Sequence, residues 1–203
     1  MPHLDNTTQQ ILKDLSTQGM KHVATGLSGM LGQPIHIETT DIEVVPVSKV
    51  IDRIGGAEEL VVGVYLIAQG SMPGHVMLVI PFADALQLVD MLLGEPEGTT
   101  QELGSLERSA LGEVGNLTAS FFLNAVAAAT GFSTQPSPPA VMVDMLGAIL
   151  NIILIAAAGA EPDIMLLETV FSGPERELNI FFWVVPDLIP LQTQLKDQLQ
   201  NGS

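Results

Sequence analysis

The sequence predicts a mixed α/β (α+β) fold of two pseudo-twofold-related halves. Each half holds a long helix, antiparallel strands and further helices, packed around a shared core. Three observations predict it. The chain is written twice: Gly56-Ala57-Glu58 returns as Gly159-Ala160-Glu161 at an offset of 103, Pro81 as Pro186 at 105, and Ile11–Gln33 as Ala110–Phe132 at 99. Each copy passes from a helical period to extended runs bounded by Gly, Pro and Ser. The 203 residues are 47% hydrophobic and 15% charged, enough apolar matter for a sizeable core and too little charge for disorder. Two copies are too few for a solenoid, which stacks at least three.

The elements follow in order, copy against copy. Long helices are expected over 5–32 and 101–131, closed by Gly32 and Gly131, where a left-handed residue costs little. Pro34 and the Pro136, Pro138, Pro139 cluster then enforce extended backbone. Strands are expected at 35–47 and 140–145, and short helices at 48–54 and 146–158. Hairpins come next, 59–69 with 75–80 and 163–171 with 177–185, joined by Ser-Met-Pro-Gly and Ser-Gly-Pro-Glu turns. A last helix starts after Pro81 and again after Pro186, proline being favoured at a first helical turn. The layout is one domain over 1–203, with a first repeat at 5–94, an acidic link at 95–104 and a second repeat at 105–200.

Charge excludes several functions. Asp and Glu number 23 against 7 Lys and Arg, a formal net charge of −16. A chain so poor in bases cannot neutralise a phosphate backbone or settle on an anionic bilayer, so neither nucleic acid nor membrane is an expected partner. No cysteine is present, which removes disulfides and thiol chemistry. The N-terminus lacks a basic region followed by an apolar run, so a cytoplasmic protein is expected. The apolar stretch 140–160 carries Asp144 and Asn151 and no flanking base, so it reads as a strand plus a buried helix. His3, His22, His36 and His75 are scattered without ligand spacing, and no metal site is expected. Trp183, inside an apolar strand, reads as core.

The informative helix is the second long one. At about 100° per residue, Ser109, Glu113, Asn116 and Ser120 fall on one stripe, with Leu111, Val114, Leu117, Phe121, Phe122 and Ala125 on the other side. Any amphipathic helix has a solvated polar face, but such a face is normally built of Lys, Arg and Gln. Here it offers a carboxylate and a carboxamide one turn apart among small groups. Gly112 and Gly115 nearby are poor helix formers, a local cost that points to function. The aligned positions of the first copy are Gln10, Asp14 and Thr17, which keep a charge and lose the amide. An amide both donates and accepts, so it can orient a water for in-line attack on phosphorus; threonine is too short to place both groups there.

The segment Ser109-x3-Glu113-x2-Asn116-x22-Pro139 resembles the signature of the CheC/CheX/FliY family of chemotaxis phosphatases. The stretches GLSGMLGQPIHIE, EELVVGVYLIAQGSMPGHVMLVIPFADALQLVDMLLG and DMLGAIL are similar to CheC segments in the same order, and the duplicated frame is that family's plan. The departure is in copy one, where Gln10, Asp14, Thr17 and Thr40 stand at the motif positions, so the chain is most like a CheC with one intact site.

The resemblance implies a hydrolase acting on the aspartyl-phosphate of a CheY-type response regulator. Asn116 would orient the attacking water, Glu113 would pair with the regulator's lysine, and Ser109 and Ser120 would line the stripe. Pro139 would shape the neighbouring loop. No cofactor of the chain's own is implied, Mg²⁺ being carried by the partner regulator. The resemblance also brings the deamidase CheD as a second partner, docked near the helix at 146–158. A non-catalytic adaptor binding CheD or CheY stays open beside the enzyme. A flagellar-switch component is disfavoured, the chain ending at residue 203 without a fused switch segment.

Overall fold

The computed structural model describes residues 6–32, 34–71, 73–131, 133–156, 163–172 and 177–186. In chain order these form α1 (Asn6–Leu31), β1 (His36–Pro46), a 3-10 turn (Val47–Lys49), α2 (Ile51–Ile54), β2 (Leu60–Gly70), β3 (Gly74–Pro81) and α3 (Phe82–Leu93). There follow α4 (Ser105–Thr130), β4 (Thr134–Pro136), β5 (Ala140–Met145), α5 (Leu146–Ala156), β6 (Asp163–Ser172) and β7 (Glu177–Pro186). The helix expected after Pro186 and part of each hairpin turn lie outside the described residues.

Most expected elements stand within a residue or two of the sequence reading, and three differ. The second long helix begins at Ser105, because the preceding loop is folded around a carboxylate. Asp90 is buried, and its two oxygens accept from the backbone N–H groups of Gly98 and Thr100, each at 2.8 Å. A buried carboxylate is tolerated when backbone donors satisfy it. The short helix after Pro46 splits into a 3-10 turn and a single α turn. The proline-rich stretch contains an unforeseen strand, β4, paired with the end of β2 through Ala68, Gln69 and Gly70.

The strands form one sheet in the order β1-β6-β7-β3-β2-β4, with β5 also paired to β2. All pairings are antiparallel. The halves exchange strands. β1, from the first repeat, pairs with β6 of the second, while β5 of the second pairs with β2 of the first. The β3–β7 pair at the centre relates one half to the other.

One core was expected and two are found, one on each face of the sheet. Side chains at Val62, Val64, Leu66, Leu78, Ile80, Phe182 and Val184 point to the face covered by α1, α3 and α4. The alternate positions, Val61, Met77, Val79, Trp183 and Val185, meet α2 and α5 on the other. This is the period-two alternation of a strand buried on both sides. Trp183 is fully buried, as expected of core. The apolar stretch 140–160 divides at Met145 into β5 and α5, and no helix among the described residues is long and apolar enough to cross a membrane.

Candidate functional site

α1 and α4 are each 26 residues long and start at Asn6 and Ser105, so the two helices correspond at an offset of 99 along their whole length. Each ends before a glycine with positive φ, Gly32 at 64° and Gly131 at 74°. The Gly131 N–H closes the last turn of α4 on the Ala127 carbonyl at 2.7 Å. At the other end Glu107 lies in the first turn, where a carboxylate meets the positive end of the helix dipole.

Of the two glycines of α4, Gly115 breaks the propensity rule for a packing reason. Gly115 is buried over β2, and a Cβ placed there would stand 2.3 Å from Val64 Cγ1. Gly112 lies over the start of β5, where a Cβ would come 3.4 Å from Val141 Cγ2 and 3.5 Å from Pro139 Cγ. Gly115 therefore lets α4 sit close on the sheet, whereas a Cβ at Gly112 would make only ordinary contacts. The helix cost at Gly115 is explained by packing and is not an argument for function.

The same packing brings Pro139 to the residue beside Glu113. Its loop is held between β4 and β5, which both pair with β2. The Ser137 hydroxyl accepts from the Ile67 N–H at 2.9 Å and donates to the Pro138 carbonyl at 3.1 Å, while the Ser137 N–H donates to the Ile67 carbonyl at 2.8 Å. Sequence spacing alone could not show that a proline 26 residues after Glu113 lies against the same helix.

With Gly112, Gly115 and the apolar positions turned inward, the opposite side of α4 faces out. Ser109 and Glu113 are exposed, and Asn116 and Ser120 half-buried. The Ser109 hydroxyl is turned back onto the Ser105 carbonyl at 2.8 Å. Glu113 and Asn116 have no side-chain hydrogen-bond or ion-pair partner among the described residues. A carboxylate and a carboxamide thus stand side by side, one helical turn apart, with their polar atoms uncommitted. Two further exposed residues extend the stripe and were not singled out from the sequence, Leu106 and Asn124. Both were legible: at about 100° per residue each falls about 60° from Ser109.

The corresponding face of α1 is arranged differently. Gln10 Nε2 donates to Asp14 Oδ1 at 3.0 Å, and the Thr17 hydroxyl donates to the Lys13 carbonyl at 3.1 Å. Lys21, exposed, occupies the place of Ser120. Thr40, at the position of Pro139, falls in β1 at the break in register between Thr39 and Asp41. Gln10, Asp14 and Thr17 thus lie on one face, as expected, with Gln10 and Asp14 bonded to each other and the Thr17 hydroxyl folded onto its own helix. No group of three or more His, Asp or Glu side chains that could hold a metal occurs among the described residues.

Residues 106–143, which carry the α4 stripe and Pro139, match the CheC-like family. The chain is 28% identical over 181 residues to the CheY-P phosphatase CheC of Bacillus subtilis (strain 168), covering 87% of each. In sequence the chain is similar to CheC. Its fold is that of FliY from Thermotoga maritima, with a TM-score of 0.78 at 20% identity, covering 96% of this chain and 97% of that one. A chain of the CheX-CheY-BeF3-Mg²⁺ complex from Borrelia burgdorferi is a more distant structural neighbour, with a TM-score of 0.53 at 19% identity, covering 84% and 96%. The chain is thus similar in sequence to a CheY-P phosphatase and in fold to FliY, and the corresponding outer faces of α1 and α4 differ in their residues.

Proposed function

We propose that this CheC-like chain ends a chemotaxis signal by hydrolysing the aspartyl-phosphate of a CheY-type response regulator, using α4 alone. The observation that carries the reading is the uncommitted Glu113–Asn116 pair on an exposed helix face, set against the engaged residues of α1. Two relatives support the partner: the Bacillus protein is named a CheY-P phosphatase, and a structural neighbour is a CheX–CheY complex.

The chemistry asks little of the helix beyond placement. An aspartyl-phosphate is hydrolysed when water attacks phosphorus in line, the bond to the aspartate oxygen breaks, and the aspartate carboxylate and inorganic phosphate are released. Positioning and electrostatics supply most of such a rate. The Asn116 amide accepts a proton-side contact from the water through its carbonyl and donates to a phosphoryl oxygen through its NH₂, fixing the line of attack. Glu113 pairs with the regulator's lysine and sets the register of docking. The regulator brings its own carboxylates and Mg²⁺. Ser109, Ser120 and Pro139 shape the face around the pair.

Phosphate release from the phosphorylated cognate regulator, with and without the chain, tests the reading. Acceleration by wild type that is lost in Glu113→Ala/Asn116→Ala is expected; an unchanged rate in the double variant would sink the mechanism. A second reading, an adaptor for CheD, draws on α5, whose Ile155 is 78% exposed beyond β5 and Asp144. If Ile155→Asp and Asp144→Lys leave CheD capture as strong as in wild type, that surface is not the dock.

A further inference from the structure

We infer that Leu106 is a partner-contacting, specificity-determining residue of the same site: an apolar foot at one end of the α4 stripe that grips the regulator while Glu113 and Asn116 do the polar work. The inference rests on the phosphatase reading and names a contact that reading does not require.

Four observations carry it. Leu106 is 61% exposed in the first turn of α4. An isolated exposed leucine needs no explanation, but this one falls in the sector of the site. Counting about 100° per residue from Ser109, Leu106 lies near 60° and Glu113 near 40°, so the two share a line along the helix. It is also the one large, exposed apolar side chain on a stripe otherwise made of Ser, Glu and Asn.

The duplicated copy supplies a control. At the offset of 99 the residue aligned with Leu106 is Thr7. The apolar group thus occurs on the helix that keeps the carboxylate and amide uncommitted, and is missing from the helix that spends its polar groups internally. A leucine kept for packing would be expected on either helix; one kept for docking belongs with the intact pair. The occupant is the phosphorylated regulator, because Leu106 lies seven residues from Glu113 along α4, about 10 Å at 1.5 Å per residue. A partner seated on Glu113 and Asn116 reaches that far, since a protein footprint of standard size spans 20–30 residues. Leucine adds apolar contact without adding charge, and so strengthens binding without altering the reacting groups.

Steady-state phosphate release and calorimetric binding to the beryllofluoride-activated regulator test this with the full chain. Leu106→Thr installs the first-copy residue at an exposed position. It should raise KM and Kd by about five- to tenfold, or about 1–1.4 kcal/mol, with kcat within about twofold. Leu106→Met should restore both, since methionine keeps the apolar volume. Unchanged KM and Kd in Leu106→Thr would overturn the inference, as would a loss in kcat alone. Wild type that binds the activated regulator without accelerating phosphate release would defeat the phosphatase reading while the binding arm still judged Leu106. Wild type that neither binds nor accelerates would overturn both.

Discussion

α1 and α4 have the same length, the same closing glycine and corresponding places on one face of the sheet, yet they differ in what their outward side chains are doing. On α1 a carboxylate accepts from Gln10 and a hydroxyl is folded onto its own helix. On α4 Glu113 and Asn116 are left open, and Ser109, the residue that could have reached Glu113, turns away to Ser105. The comparison teaches that a shared fold does not give two outer faces the same chemistry. What separates them is how far their polar groups are engaged within their own helix. Charge alone would mislead, since both faces carry a carboxylate. Under the proposed function a lysine at position 21 widens the gap, because it would place like charge against the regulator's lysine.

The largest effect is expected from removing the difference on the α4 side. Glu113→Ala/Asn116→Ala should lower phosphate release by at least about 100-fold, the scale of losing an oriented catalytic group, and circular dichroism should be unchanged because both residues face outward. Next comes a test that spares the polar pair and moves the helix carrying it. Gly115→Ala drives a methyl against Val64. It should cost about 1–3 kcal/mol, as overpacking does, seen as a lower urea midpoint, with activity falling through displacement of α4. Ser120→Lys copies the first-copy residue onto the intact face. It should raise KM by about five- to tenfold through like-charge contact at the interface, and the penalty should shrink at about 1 M salt, where screening is short-ranged. The smallest effect belongs to the other helix: Asp14→Ala should change turnover by less than about twofold, as a surface substitution away from a site does. A large loss there would show that α1 also works, and would break the comparison outright.

Much of this was legible before any coordinates. The duplication, the twin long helices and the four-residue stripe all depend on local periodicity, which the sequence carries directly. So does the placement of Trp183 in the core. Three things were not. β4 is a short strand among prolines, stabilised by pairing with Ala68–Gly70, a partner more than sixty residues away. Gly115 reads as a propensity cost because its reward, close approach to Val64, exists only once helix and sheet are assembled. The internal hydrogen bonds of α1 depend on rotamers, so the first face could be seen as altered in chemistry but not as occupied. Leu106 is legible by the same helical count, but an apolar side chain does not declare itself on a polar stripe.

The exchange of strands across the sheet bears on how such a protein can be altered. β1 needs β6, and β4 and β5 need β2, so a chain cut between the repeats would leave β1 on one piece and β4 and β5 on the other, each without its partner. Neither piece would complete its own sheet, whereas the two expressed together have every edge they need to reassemble. The first repeat is then indispensable as the other half of a mutual clasp, whatever chemistry the outer face of α1 carries.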